Sequence, residues 1–316
     1  MTGLAFWILL AATAAAAGDL PLTYYQSTSQ PPVAGEAGQS AQLPLAGDGF
    51  ARLTVPVRLG ASGPYQFLVD TGSDRTSVSR ELAGKLGLEE RAQARMHSAT
   101  GASQVRMAYL PELRTGRRSV RHINAPLLAA ADIGADGILG IDSLRSQRVT
   151  FDFERGTLAI QSADAASPIE EGAILVRARR KEGRLVITDA EVDGVRVSVV
   201  LDTGSSLTVA NSALRRRLER RGGVDLVKPI DLVSVTGASL RGELANVRRL
   251  DIGGARLEGL GVVFADAHTF RQLRLDNRPA VLLGMNALQG FDQVSIDFAG
   301  RTLSLVLPKS RKARRA

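Results

Sequence analysis

Residues 199–210 read VVLDTGSSLTVA, an apolar run that ends on Asp202 and continues at once through Thr203, Gly204 and Ser205. A carboxylate set against an apolar strand must find a partner or shift its pKa, because burial penalises the charged form. The same pattern stands earlier in the chain. QFLVDTGSDRTSVS at 66–79 surrounds Asp70 and returns as SVVLDTGSSLTVAN at 198–211. Three further blocks recur in the same order. SATGAS (98–103) returns as SVTGAS (234–239), DGILGIDSL (136–144) as AVLLGMNAL (280–288), and VTFDFERGTLAI (149–160) as VSIDFAGRTLSL (294–305). Four ordered blocks mark a duplicated domain. The offset between copies grows along the chain, from the Asp70/Asp202 match through Gly101/Gly237 to Gly140/Gly284. The second copy therefore carries extra loop residues, expected within HTFRQLRLDNRP (268–279).

Between these blocks the chain reads as short β-type runs broken by glycine, such as RLTVPVRLG, YQFLV and VRMAYL. Helical patterns are brief, at 79–88 (SRELAGKLGL) and in the basic stretch 211–221, where Leu214 and Leu218 form one apolar stripe. The reading is mostly β with a few short helices. Apolar content of 44% and charged content of 23% are those of a globular chain of 316 residues. There is no cysteine, which excludes disulfides, thiolate nucleophiles and Cys-based zinc sites. His97, His122 and His268 are far apart in sequence, so neither a histidine metal site nor a serine–histidine triad is expected, and no cofactor is called for.

Residues 1–17 hold an apolar run from Leu4 to Ala17, short for a membrane span and ending in small residues, and read as a signal peptide. The n-region has no Lys or Arg, which leaves a retained N-terminal anchor as the alternative. Either reading places the folded part outside the cytoplasm, periplasmic or extracellular. Residues 18–48, rich in Pro, Gly, Ser and Gln, read as a flexible tether or propeptide. The joint between the copies is QSADAASPIEEGA (161–173), with the linker proper at 163–173. The copies then span 49–162 and 174–308, followed by a basic tail at 309–316. Formal charge is +8, but five of those charges sit in the tail, leaving about +3 on the rest. The tail is expected to be solvated, with contact to an anionic membrane surface as the sharper alternative. Aromatic residues are too sparse for a stacking platform, so nucleic acid is not an expected partner.

Over nearly all of residues 50–308 the sequence resembles the aspartic proteases, the family of pepsin and the retroviral proteases. The resemblance rests on Asp70-Thr71-Gly72-Ser73, Asp202-Thr203-Gly204-Ser205, and the triplets Ile138-Leu139-Gly140 and Leu282-Leu283-Gly284. It implies a bilobal fold of two pseudo-twofold-related, β-barrel-like lobes, each giving one aspartate to a shared cleft. Two close carboxylates cannot both ionise cheaply, so such a pair shares a proton, as the pair in pepsin does. The ionised member activates a water and the protonated member donates to the substrate carbonyl oxygen. Glycine at 72 and 204 permits a tight turn close to the opposite lobe. By resemblance, Thr71 and Thr203 brace the two loops. Ser73 and Ser205 are expected to hydrogen-bond the outer carboxylate oxygens and lower their pKa. Either aspartate alone would read as a turn residue capping its own backbone; paired within a repeat, they read as a functional pair.

Asp74 and Arg75 replace Ser206 and Leu207 of the other copy and are expected to form an exposed local ion pair. Asp152 and Asp297, which also repeat, are assigned structural roles. Ala99-Thr100-Gly101 and Val235-Thr236-Gly237 have turn chemistry and are expected to form two flaps, as in a retroviral dimer written as one chain. The expected function is an aspartic endopeptidase acting on an extended polypeptide, as a monomer rather than an obligate dimer. The alternative is an exported peptide-binding module that keeps the fold with little or no turnover. A two-carboxylate glycosidase accounts for neither the Asp-Thr-Gly context nor the duplication.

Overall fold

The structure, a computed structural model, describes residues 10–12, 41–44, 46–47, 52–116, 118–163 and 170–308. Most of the expected signal segment and tether, the middle of the joint and the whole basic tail lie outside the described residues.

Each copy places its aspartate the same way. In the first, Ser62–Val69 runs parallel to Gly137–Leu139, and that short strand pairs antiparallel with Ser77–Ser79. In the second, Ser198–Leu201 runs parallel to Ala280–Leu283, which pairs antiparallel with Thr208–Ala210. The chain thus leaves one strand at the aspartate, loops through the Asp-Thr-Gly-Ser turn, and returns across the far side of the central strand. These strands are buried on both faces, which explains why FLV, GIL, VVL and AVLL are continuous apolar runs rather than alternating ones. Fully burying each of the larger side chains, Phe67 among them, contributes about 1.5–3 kcal/mol.

Long hairpins flank both loops. Glu90–Ser98 pairs with Gly101–Thr115, and Asp225–Ser234 pairs with Ser239–Ile252, each continuing into a third strand, Arg118–Leu128 or Ala255–Phe264. The helices expected at 79–88 and 211–221 are Arg80–Lys85 and Ser212–Glu219. Their starts follow from capping: Ser79 accepts from the Leu82 amide and Asn211 from the Leu214 amide. In the second helix Ala213, Leu214 and Leu218 are buried, while Arg215 points outward to Glu219 and Glu243.

The fourth repeat block joins the copies. Gln147–Asp152 pairs antiparallel with Gln293–Asp297, so one six-stranded sheet is built from both halves. Val149, Phe151, Val294 and Ile296 face the core, and Thr150 meets Ser295 on the other face at 2.8 Å between hydroxyls. Asp152 holds the Arg155 amide and guanidinium, and Asp297 holds the Gly300 amide and Arg148. A shallow depression on this outer face is lined by Arg148, Thr150, Asp152, Gln293, Ser295 and their neighbours and touches neither Asp70 nor Asp202.

Two short strands lie within the stretch read as a tether or propeptide. Ala41–Pro44 adds a strand beside Thr157–Ile160, and Ala46–Gly47 pairs with Leu53–Thr54. The edge strand Thr157–Ser162 offers unpaired backbone groups, and an extended segment satisfies them. Leu10–Ala12, inside the expected signal segment, pairs antiparallel with Leu232–Ser234. Among the described residues no helix is long and apolar enough to cross a membrane.

Candidate active site

Asp70 and Asp202 meet at the junction of the two halves, each buried with no exposed surface. Their backbones are held by the central strands: the Asp70 amide donates to the Leu139 carbonyl at 3.0 Å, the Asp202 amide to the Leu283 carbonyl at 3.1 Å. The glycines report how close the two loops come. A Cβ on Gly72 would sit 2.5 Å from Asp202 Oδ1, and one on Gly204 would strike the Asp70 carboxyl. Each loop therefore needs glycine because the other loop's acid occupies the space.

Two hydroxyls lock the loops to each other. The Thr71 amide donates to Thr203 Oγ1 at 3.0 Å, and the Thr203 amide donates to Thr71 Oγ1 at 3.1 Å. Thr203 Oγ1 in turn donates to the Val69 carbonyl at 2.7 Å. An outer brace, not foreseen from sequence, repeats in both copies. Thr76 donates through its amide and hydroxyl to Asp142 Oδ1, and Thr208 through the same two groups to Asn286 Oδ1, all at 2.8 Å. Thr76 and Thr208 also accept the Gly140 and Gly284 amides. The signal was present in the repeat, since Asp142 and Asn286 occupy matching places in GIDSL and GMNAL.

Two expectations are corrected. Ser73 and Ser205 do not bond the aspartates: their hydroxyls donate to the Arg75 and Leu207 carbonyls of their own turns, at 2.8 and 2.7 Å. The turn curls each hydroxyl away from the carboxyl, so these serines shape the loop instead. Asp74 does not form an exposed pair with Arg75. It pairs with Arg184 of the second copy at 3.2 Å, and the same guanidinium donates to the Gly72 carbonyl. Arg184 is 1% exposed, so it reaches Asp74 from within the interface between halves. Arg52, equally buried, donates to the Ile133 carbonyl. The two arginines keep the spacing of the two aspartates, and each opens an Arg-Leu pair that lies outside the four repeat blocks.

These groups set the electrostatics. Burial pushes the Asp70 carboxyl well above the ordinary range, and the charge of Asp202 raises it further. Burial pushes Asp202 up to about 7. Opposing this, Arg184 and Arg52 favour the ionised form of both. The Gly72 amide donates to Asp70 Oδ1 at 2.7 Å. The Gly204 and Ser205 amides pull Asp202 down by proximity, although neither completes a hydrogen bond to its oxygens. Burial thus disfavours loss of either proton, and the charge left by the first makes loss of the second harder still.

The Thr-Gly turns both reach the opposite half. Ala99, at the tip between Ser98 and Gly101, is buried among Val186, Val200, Val209, Phe270 and Leu282 of the second copy. Val235 is buried among Leu68, Met96, Met107, Leu128, Ile133 and Ile138 of the first. The tips also meet each other, Thr100 Oγ1 lying 3.1 Å from Ser234 Oγ. Thr236 closes its own turn onto Ser234, and Gly237 adopts a φ of +76° beside Asp132. Gly101, at φ +144°, starts the return strand of the first turn. His97 and His268, distant in sequence, come together beside the first tip, with 3.0 Å between Nδ1 and Nε2. Among the described residues no group of three or more His, Asp and Glu is arranged to hold a metal ion.

Known proteins supply the ancestry and the fold. A family model described as aspartyl protease matches residues 55–143 and 188–287, one segment around each aspartate. No curated protein matches the sequence. Among solved structures, the aspartic proteinase from Irpex lacteus superposes with a TM-score of 0.51 at 14% identity, covering 88% of this chain and 100% of that one. That likeness speaks to the fold, and the family match to the ancestry. The chain belongs to the aspartyl protease family and has its mostly β, two-lobed fold.

Proposed function

We propose that this chain is an aspartic endopeptidase in which Asp70 and Asp202 form one proton-sharing dyad in a cleft between the lobes. The observation that carries the reading is the reciprocal placement of the two carboxyls, each packed on the other loop's glycine and cross-linked by Thr71 and Thr203. In the singly protonated pair, the ionised carboxyl takes a proton from a water as its oxygen attacks the scissile carbonyl carbon. The protonated carboxyl gives its proton to the carbonyl oxygen. On collapse of the resulting diol, one of its hydroxyls gives a proton to the dyad, the C–N bond breaks and the amine nitrogen takes a proton from the dyad, which is left with one shared proton and a free carboxylic acid product. Burial and the buried arginines act in opposite directions, and both serve this state, since burial retains the shared proton and the cations permit the single negative charge.

The substrate is an extended polypeptide. Support comes from the hairpin edge Leu232–Ser234, which accepts a strand in antiparallel register from the chain's own apolar residues Leu10–Ala12. The apolar stretch ending at Ala17 supports export. A peptide-library cleavage profile taken against pH tests the function, with the Asp202→Asn protein as control. With Asp202 pushed up to about 7 and Asp70 raised well above its ordinary value, the pair keeps both protons in acid, so the proposal predicts cleavage that rises toward about pH 7 as the pair loses its first proton. Peptide affinity without turnover at any pH would instead identify a binding module.

A further inference from the structure

We propose that His97 and His268 form a latch that holds the first flap shut at neutral pH and releases it in acid. The flap strand Glu90–Ser98 carries His97 next to the turn, and the short helix His268–Gln272 of the opposite lobe carries His268. Their rings lie 3° from parallel with centroids 5.3 Å apart, and Nδ1 of His97 is 3.0 Å from Nε2 of His268. The His268 amide also donates to the Ala99 carbonyl at 2.7 Å, which fastens the turn itself to that helix. From the same helix Arg271 donates to Nδ1 of His268, which places the N–H of the neutral ring on Nε2, and the Gln272 side-chain amide lies 3.0 Å from that same Nε2.

A bond between two imidazole nitrogens needs one N–H and one lone pair. With both rings neutral, or with one proton added, that requirement is met. With both rings protonated, both nitrogens are donors and the contact becomes a repulsion between cations. The charged neighbours that bear on the pair make acid release sharper: Arg95, on the flap strand, acts on both rings, and Arg271 acts on His268 from the helix. Burial first, and then these cations, hold both imidazoles below their ordinary value while the flap is closed. The sign follows: rings that bind protons less readily in the closed state favour closure in full above the ordinary histidine range. That preference is lost as pH falls below it. The second flap has Val233 where the first has His97, so the latch belongs to one flap alone.

Opening of the flap is read without any activity measurement. Backbone amide exchange of residues 96–101 in the full-length protein, corrected for intrinsic rates, reports the open population. Between about pH 7.5 and about pH 5.5 the protection of this segment should fall severalfold, because both rings bind protons less readily in the closed state than in the open one. Protection of Thr150–Asp152 in the six-stranded sheet should hold over the same range. The double variant His97→Asn/His268→Gln places amide groups where the two bonded nitrogens stand and cannot titrate, so its protection should not respond to pH. Constant protection of 96–101 in the wild type overturns the proposal. So does a double variant that keeps the wild-type response.

Discussion

Asp70 and Asp202 are two acids that the fold holds in a place unfavourable to their charge. Both carboxyls titrate above the 3.8 of an ordinary aspartate, so the native state binds protons that the unfolded chain has already released. Native stability is therefore greatest below that ordinary value and declines as pH rises toward about 7. Replacing Asp202 by Asn removes the penalty. Thermal melts should show the variant more stable than wild type by a few kcal/mol at neutral pH, the gain vanishing toward acid. Arg184 behaves in the opposite sense. Arg184→Met withdraws the cation from Asp74 and the donor from the Gly72 carbonyl, at a cost of about 3–5 kcal/mol by denaturant unfolding. Adding Asp74→Asn should restore part of that loss, because the two changes share one interaction. The aspartates were legible in the sequence because a four-residue motif occurs twice after an apolar run. Arg184 was not, because Arg-Leu is too common a pair to register and its partner Asp74 lies in the other copy.

The element that makes the pair possible is the loop with its cross-lobe threonines. Removing either hydroxyl leaves the opposite loop's buried amide without its acceptor, worth about 1–3 kcal/mol. Thr203→Val should cost more than Thr71→Val, since it also loses the bond to the Val69 carbonyl. Equal losses in equilibrium unfolding would show that this extra bond contributes nothing. The turn serines show why sequence misled at this level. Ser follows the Asp-Thr-Gly in both copies, but which way its hydroxyl points depends on turn dihedrals that the residue type leaves open. The two hairpins with Thr-Gly turns follow directly from the repeat. Their cross-lobe tips could not be read, because Ala99 and Val235 look like ordinary small or branched turn residues until the opposite lobe is placed over them.

At the scale of the molecule, the duplication leads to two lobes, and the six-stranded sheet explains why they are not independent. Gln147–Asp152 and Gln293–Asp297 pair along their length, so unfolding one lobe strips the other of a central strand. Calorimetry should give one transition whose van't Hoff and calorimetric enthalpies agree, and two resolved transitions would show that the shared sheet does not couple the lobes. The recurrence of VTFDFERGTLAI as VSIDFAGRTLSL made these segments legible as equivalents, while the strand Ala41–Pro44 lies in a Pro- and Gly-rich neighbourhood that reads as tether or propeptide. The central claim is that both lobes contribute to one reactive centre. Its most direct measurement is kcat/KM on an unstructured protein substrate for Asp70→Asn and Asp202→Asn, made separately and checked for native melting. Each single variant should lose about a thousandfold or more, since neither carboxyl can both hold and give the shared proton alone. Substantial activity in either variant would contradict the account.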